Sequence, residues 1–364
     1  MNTLIKTDDN HSSTLKIIVI RRDNIGDLVC TTPVFSALRE HYPKARICAL
    51  VNSYNVAVLE NNPDIDEIYA YTKAKHRAAG TSAFKVYWER LKLFARLRKE
   101  RFDYAIIGGA HFLPRGLRLA RMIRPCHIIG FTEQGKKGIQ HIDTPIPYTL
   151  DAPLHEAEDI FRLLAPLAIT GAPPPLRVVA SNAEMAAARA QLSARGWTAG
   201  QTVIGVHISA RKPSQRWPAE NFVELVRALH QSENAVFMLF WSPGDESNPH
   251  HPGDDNKARQ IMSALSGVPL IAYPTQQLRE LIAGLSVCDR VICSDGGAMH
   301  IAAGLGKPIL CFFGKSDASR WHPWGVPHIV LQPASQEVAE ISVKEGFAAF
   351  GRLQEQCTSH PVGK

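Results

Sequence analysis

The chain has no uninterrupted apolar run approaching the ~18 residues that a membrane-spanning helix needs. Its opening residues, MNTLIKTDDNHSST, are polar and lack the apolar centre of an export signal, so the expected location is the cytoplasm. Seven cysteines are present, an odd number without a C-x-x-C pair, which reads as reduced thiols rather than disulfides or a thiolate metal site. Zinc-ligand spacing, a helix-turn-helix pattern and aromatic RNA-binding motifs are all missing, so nucleic acid is not an expected partner. Neither of the two main glycine turns spells G-x-G-x-x-G with an acid about twenty residues on, which argues against a dinucleotide-dependent oxidoreductase. Short repeats and low-complexity tracts are also absent.

What is present starts with length: 364 residues exceed one ordinary core, so two domains are expected. The stretch Ile17-Ile18-Val19-Ile20 is a β-branched run of the kind buried on both faces of a parallel sheet. It breaks into a polar turn containing Gly26 and resumes as a helix near Thr32, with Pro33 suited to its first turn. Strand, glycine turn and helix make the first unit of a doubly wound α/β domain, whose ligands bind at the carboxyl ends of strands. Asp27 therefore occupies a position suited to chemistry.

Further strands are read at residues 45–51, 67–71, 102–109 and 127–131. A helix over 84–100 carries Phe84, Trp88, Leu91, Phe94 and Leu97 at helical spacing, expected to face the core, with Lys85, Arg90, Lys92, Arg96, Arg98 and Lys99 around them. Arg115, Arg118, Arg121 and Arg124 recur every third residue on another helix, a solvated surface or an anion-binding face. The stacked prolines of Ala172-Pro173-Pro174-Pro175 mark a linker, after which the α/β alternation restarts with strands at 202–207, 235–240, 269–272 and 290–293. The expected division is 1–172, 173–335, and a helical 336–364 interrupted at Gly346. Charge is uneven: up to Gly171 there are 24 Lys plus Arg against 18 Asp plus Glu, while the rest has 17 against 16. A basic first half suggests an acidic partner.

A second strand–turn–helix runs from Val291 through Asp295-Gly296-Gly297-Ala298-Met299-His300. Glycines there let backbone amides approach a ligand, and a helix start with its positive dipole end suits a phosphate. His300, on the first turn, is a candidate for the same pocket.

Arg21-x-x-x-Ile25-Gly26-Asp27-x-x-x-Thr31-x-Pro33, Arg216-Trp217-Pro218, and Asp295-Gly296-Gly297-x-x-His300-x-Ala302-Ala303-x-x-Gly306-x-Pro308 together resemble glycosyltransferase family nine, the ADP-heptose:lipopolysaccharide heptosyltransferases. The resemblance implies a GT-B fold, two Rossmann-like domains facing across a cleft, with acceptor on the first and donor nucleotide mainly on the second. It implies an inverting, metal-independent transfer of heptose from ADP-heptose to the lipopolysaccharide inner core, with no cofactor. Asp27 becomes the catalytic base. Ser209, Lys212, Arg216, Asp295, Gly296, Gly297, Ala298 and His300 become donor and phosphate ligands, and Arg21, Arg115, Arg118 and Lys136, with neighbouring Lys137, meet the anionic acceptor.

The resemblance also implies an acid on the loop after strand 235–240 that binds ribose; Asp245, Glu246, Asp254 and Asp255 all qualify, with Glu246 and Asp255 as candidates. His250, His251, Asp254 and Asp255 read as a solvated loop, so no metal is expected. The basic face extends the expectation to peripheral contact with the inner membrane surface, and the last helix is expected to pack back on the first domain. Two departures stand out: Gln215 replaces the family's frequent lysine, and Gly296 its usual Ser or Thr. They keep open a same-fold enzyme using another nucleotide sugar or a protein acceptor, or a degenerate nucleotide-sugar-binding protein.

Overall fold

The computed structural model describes residues 14–72, 83–148, 153–247 and 253–359. The chain divides into two compact units, Met1–Pro174 and Pro175–Lys364, so the boundary falls inside the proline run.

The first unit is built on a six-stranded parallel sheet: β1 (Lys16–Ile20), β2 (Arg46–Asn52), β3 (Glu67–Tyr71), β4 (Tyr104–Ile107), β5 (His127–Thr132) and β6 (Thr144–Pro147). The strand order is β3-β2-β1-β4-β5-β6. Ile17 to Ile20 are buried on both faces, as their unbroken β-branched pattern requires. The chain leaves β1 toward β2 on one side and returns to β4 on the other, which makes β1/β4 the topological switch point.

The second unit repeats the scheme with β7 (Thr202–His207), β8 (Ala235–Trp241), β9 (Leu270–Pro274), β10 (Arg290–Ser294), β11 (Ile309–Phe312) and β12 (His328–Leu331). Its order is β12-β11-β10-β7-β8-β9, with the switch point at β7/β10. Phe237, Phe240, Phe312 and Trp217 are all but fully buried around it. Trp217 lies 4.9 Å edge-on to Phe222 and 4.6 Å from Phe312, and its indole donates to the Ile341 carbonyl at 2.8 Å. The basic-Trp-Pro box thus anchors a loop in the core.

The final helix, Val343–Ser359, turns Gly346, Ala349, Phe350 and Leu353 into the second unit's core. Burying Phe350 and Leu353 contributes roughly 1.5–3 kcal/mol each, and that apolar surface lies on the second unit. Gly346 does not interrupt the helix: a Cβ there would lie 3.6 Å from the Trp217 ring, so the glycine sits beside the indole inside an unbroken helix. On the helix Ala83–Glu100, Phe94 and Leu97 are buried, but Trp88 and Leu91 are 51% and 40% exposed, beside Tyr87 at 61%. The apolar stripe leaves the core halfway along the helix. The side chains of Phe84 and Lys85 lie outside the described residues.

Candidate active site

At the carboxyl end of β1 the chain does not form an irregular turn; Ile25–Val29 is a short helix with Asn24 at its N-cap. Asp27, its third residue, accepts the Asn24 amide at Oδ2 (2.9 Å), which fixes the carboxylate at the helix start. Oδ1 accepts from Arg21 Nη2 at 2.8 Å. The Asp27 side chain keeps 18% of its surface open, whereas Arg21 keeps only 2%. Gly108 at the end of β4 donates its amide to Ile20, so the two central strands close beside this carboxylate.

Arg21, expected among the acceptor contacts, is turned inward. It is buried and paired with Asp27, with Glu156 (2.9 Å from the same Nη2) and with Asp23 (3.3 Å from Nε). These carboxylates raise its pKa against the desolvation that opposes them. Glu156 was missed because 135 residues separate it from Arg21 and no local pattern marks it.

Lys136 is exposed in the turn after β5, 3.7 Å from Glu133. Lys136, Lys137, Glu133, His111, Phe112 and Pro114 line a pocket of about 350 Å³. Arg115 and Arg118 are exposed on the adjoining helix Pro114–Ile123 and are not part of that lining.

In the second unit the loops after β7, β8, β10 and β11 converge at one sheet edge. Ser209 follows β7; its Oγ accepts the Ser242 amide at 2.9 Å and also bonds Asp254. Lys212 is exposed, and Arg216 Nε donates to the Ala210 carbonyl at 3.1 Å. Gln215 is buried, and its amide nitrogen donates to Asp295 Oδ2 (2.5 Å) and Ser316 Oγ (3.0 Å). Where the family often has lysine, a neutral donor reaches the aspartate.

Gly296 has φ +157° and ψ −171°, a conformation that only glycine adopts without strain. A Cβ there would meet nothing within 4 Å, so the space above the turn is open. The helix Gly297–Gly304 starts immediately after, presenting the amides of Gly297 and Ala298 and the positive end of its dipole. His300 is buried, its ring edge-on to Trp321 at 5.9 Å.

The loop after β8 changes the ribose reading. Asp255 uses both oxygens to shape the loop, accepting from the Trp241 indole (2.7 Å) and the Gly244 amide (3.0 Å). Asp254 is buried, which pushes its pKa up, while Asp245 bonds the Ser247 amide. Glu246 is exposed and, with Arg216, Asp254 and Lys257, lines a pocket of about 320 Å³. His250 and His251 lie outside the described residues; among the described residues no cluster of three His, Cys, Asp or Glu is arranged to hold a metal.

Lys257 carried no sequence signal. Its Nζ donates to the carbonyls of Ile208 (3.2 Å) and Trp217 (2.7 Å), tying together the two ends of the 208–217 loop. Burial lowers its pKa to about 8.

Two six-stranded, doubly wound parallel sheets make the two Rossmann-like units of a GT-B fold. The sequence profile of glycosyltransferase family 9 (heptosyltransferase) matches residues 90–347, and the chain belongs to that family. The matched stretch contains the Arg216–Pro218 box and the Asp295–Pro308 motif; the Arg21–Pro33 stretch lies before it. Lipopolysaccharide heptosyltransferase 3 of Escherichia coli K12 is 26% identical over 304 residues, covering 82% of each chain. The family 9 glycosyltransferase of Veillonella parvula superposes with a TM-score of 0.76 at 21% identity, covering 94% of this chain and 97% of that one. The E. coli ADP-heptose lipopolysaccharide heptosyltransferase II gives 0.71 at 20% identity, covering 94% and 99%.

Proposed function

We propose that this protein is an inverting heptosyltransferase that moves a heptose from ADP-heptose to the inner core of lipopolysaccharide, without a metal ion. The observation that carries the base assignment is Asp27: a carboxylate at the β1/β4 switch point, oriented by the Asn24 amide and Arg21, with part of its surface open. Inversion needs one base to take the acceptor hydroxyl's proton as that oxygen attacks the anomeric carbon. The C1–oxygen bond to the diphosphate breaks from the opposite face, and ADP leaves with the electron pair. Its developing charge is met by the Gly297 and Ala298 amides and the helix dipole, with Lys212, Arg216 and Ser209 on the neighbouring loop. Glu246, exposed beside Arg216 and Lys257, is the acid we assign to the ribose.

The acceptor, anionic through phosphates and Kdo carboxylates, would meet Lys136, Lys137, Arg115 and Arg118. Exposed Tyr87, Trp88 and Leu91, with Lys92 5.7 Å over the Trp88 ring, support peripheral contact with an anionic membrane surface on the cytoplasmic side. Among the described residues no helix is long and apolar enough to cross a membrane. The Gln215–Asp295 bond favours one second reading, the same transfer from a different nucleotide sugar. The test is transfer from ADP-heptose to a deacylated Kdo-lipid acceptor with chelator present, with the product's anomeric configuration assigned by NMR. Chelator-resistant transfer with inversion is expected. Turnover with another nucleotide sugar alone would move the conclusion to the second reading.

A further inference from the structure

We infer that Glu156 is a positioning residue that sets the strength of Asp27 as a base, acting through Arg21; the inference rests on Asp27 being that base. One guanidinium nitrogen, Arg21 Nη2, bridges the two carboxylates, 2.8 Å from Asp27 Oδ1 and 2.9 Å from Glu156 Oε1. The Arg21 and Glu156 side chains are 2% and 4% exposed, whereas Asp27 retains 18%. The bridge is therefore buried at one end and open at the other.

An isolated buried guanidinium at 2.8 Å would hold Asp27 in its charged form and weaken its pull on a proton. Glu156 shares that cation, and Asp23 approaches Nε at 3.3 Å, so three carboxylates face one positive charge. Burying a second carboxylate is costly, and Asp27 and Asp23 already suffice to neutralise Arg21. What Glu156 adds is an excess of negative charge around the pair, drawing on the same Arg21 nitrogen that holds Asp27.

Its direction is fixed locally. Glu156 opens the helix Glu156–Phe161, capped by reciprocal bonds in which the Ala157 amide donates to His155 Nδ1 (3.1 Å) and Glu158 Oε2 accepts the His155 amide (2.9 Å). This cap fixes the helix start from which Glu156 accepts from Arg21, 135 residues away in sequence.

The test is the pH profile of kcat/KM for E156Q in the full chain, with ADP affinity as the check that the second unit is intact and D27N measured alongside. With the charge removed and an acceptor oxygen kept, Arg21 is less compensated. The acid limb should then move to lower pH by about one unit, the plateau should fall roughly three- to tenfold, and donor KM should stay unchanged. A merely structural role would lower kcat or thermal stability without moving the limb, and an unmoved limb overturns the inference. If E156Q does not fold, E156D decides: its withdrawn carboxylate should shift the limb the same way by a smaller amount, and an unmoved limb again overturns the inference. Retained transfer in D27N would remove the base assignment itself. An inactive D27N beside an unshifted E156Q removes only the role of Glu156.

Discussion

Replacing Gly314 with alanine should damage donor binding by displacing Gln215. Gly314 follows β11, and a Cβ there would lie 2.3 Å from the Ser214 carbonyl oxygen and 2.8 Å from its carbon. Carbon–oxygen contacts rarely close below about 3.3 Å, so the two backbones must part by roughly 1 Å. The Gly314 side cannot yield easily, because Gln332 Nε2 donates to the Gly314 and Ser316 carbonyls, each at 2.8 Å. The turn Pro213–Gln215 must move instead, carrying Gln215 away from Asp295 and Ser316.

Overpacking of this kind costs about 1–3 kcal/mol, and the lost bond to a charged carboxylate about 1.5–3 kcal/mol. Thermal or urea unfolding should report a loss of about 1–3 kcal/mol in stability. Calorimetric titration should show ADP affinity reduced about tenfold, since each 1.4 kcal/mol is a factor of ten. A folded variant that binds ADP as the native protein does would refute the proposed coupling between this backbone contact and the Gln215–Asp295 bond.

Three further outcomes follow from the geometry. Burial, with help from nearby Lys257, pushes His207 down to about 4, below the usual 6.5, so the unfolded chain takes a proton that the folded chain refuses. Stability should therefore fall as pH drops from 6.5 toward 4, by up to about 3 kcal/mol, and His207→Asn should flatten that limb in urea titrations; an unchanged limb would be the contrary result. Lys257→Met removes both bonds that tie Ile208 to Trp217 and should weaken ADP binding about five- to thirtyfold, with Lys257→Arg recovering part of it. Trp88→Ser with Leu91→Ser should cut co-sedimentation with phosphatidylglycerol vesicles about tenfold while leaving turnover on a soluble acceptor unchanged; equal sedimentation would remove the membrane contact.

The central strands were legible because burial on both faces demands unbroken apolar runs such as Ile17–Ile20 and Ala235–Phe240. Two edge strands, β3 and β9, were read as well, but β6 and β12 were not. β6 reads Thr-Pro-Ile-Pro, a loop by composition, and tolerates its prolines because an edge strand pairs on only one side. The Asp27 turn hid a helix whose signal was present, Asn24 followed three residues later by an acid. The donor-side residues were named from motifs, but their hydrogen bonds depend on which loops converge, so Ser316 and Lys257 had no sequence mark. Asp255 was a candidate by its charge and loop position and Arg21 by its place in the motif, and the structure turns both onto partners that no spacing rule foretells. Trp88 and Leu91 keep helical period with Phe94 and Leu97, yet the core ends before it reaches them. Periodicity marks a face without saying what lies opposite.

The most direct measurement is Asp27→Asn, with transfer from ADP-heptose and ADP affinity determined on the same preparation. The substitution keeps the side chain's shape and an oxygen able to accept from Arg21 or Asn24, but removes the proton acceptor. Transfer should fall by about 10²–10⁴-fold while ADP affinity stays at the native value. Transfer within a few-fold of native, with ADP still bound, would contradict the assignment of Asp27 as the base.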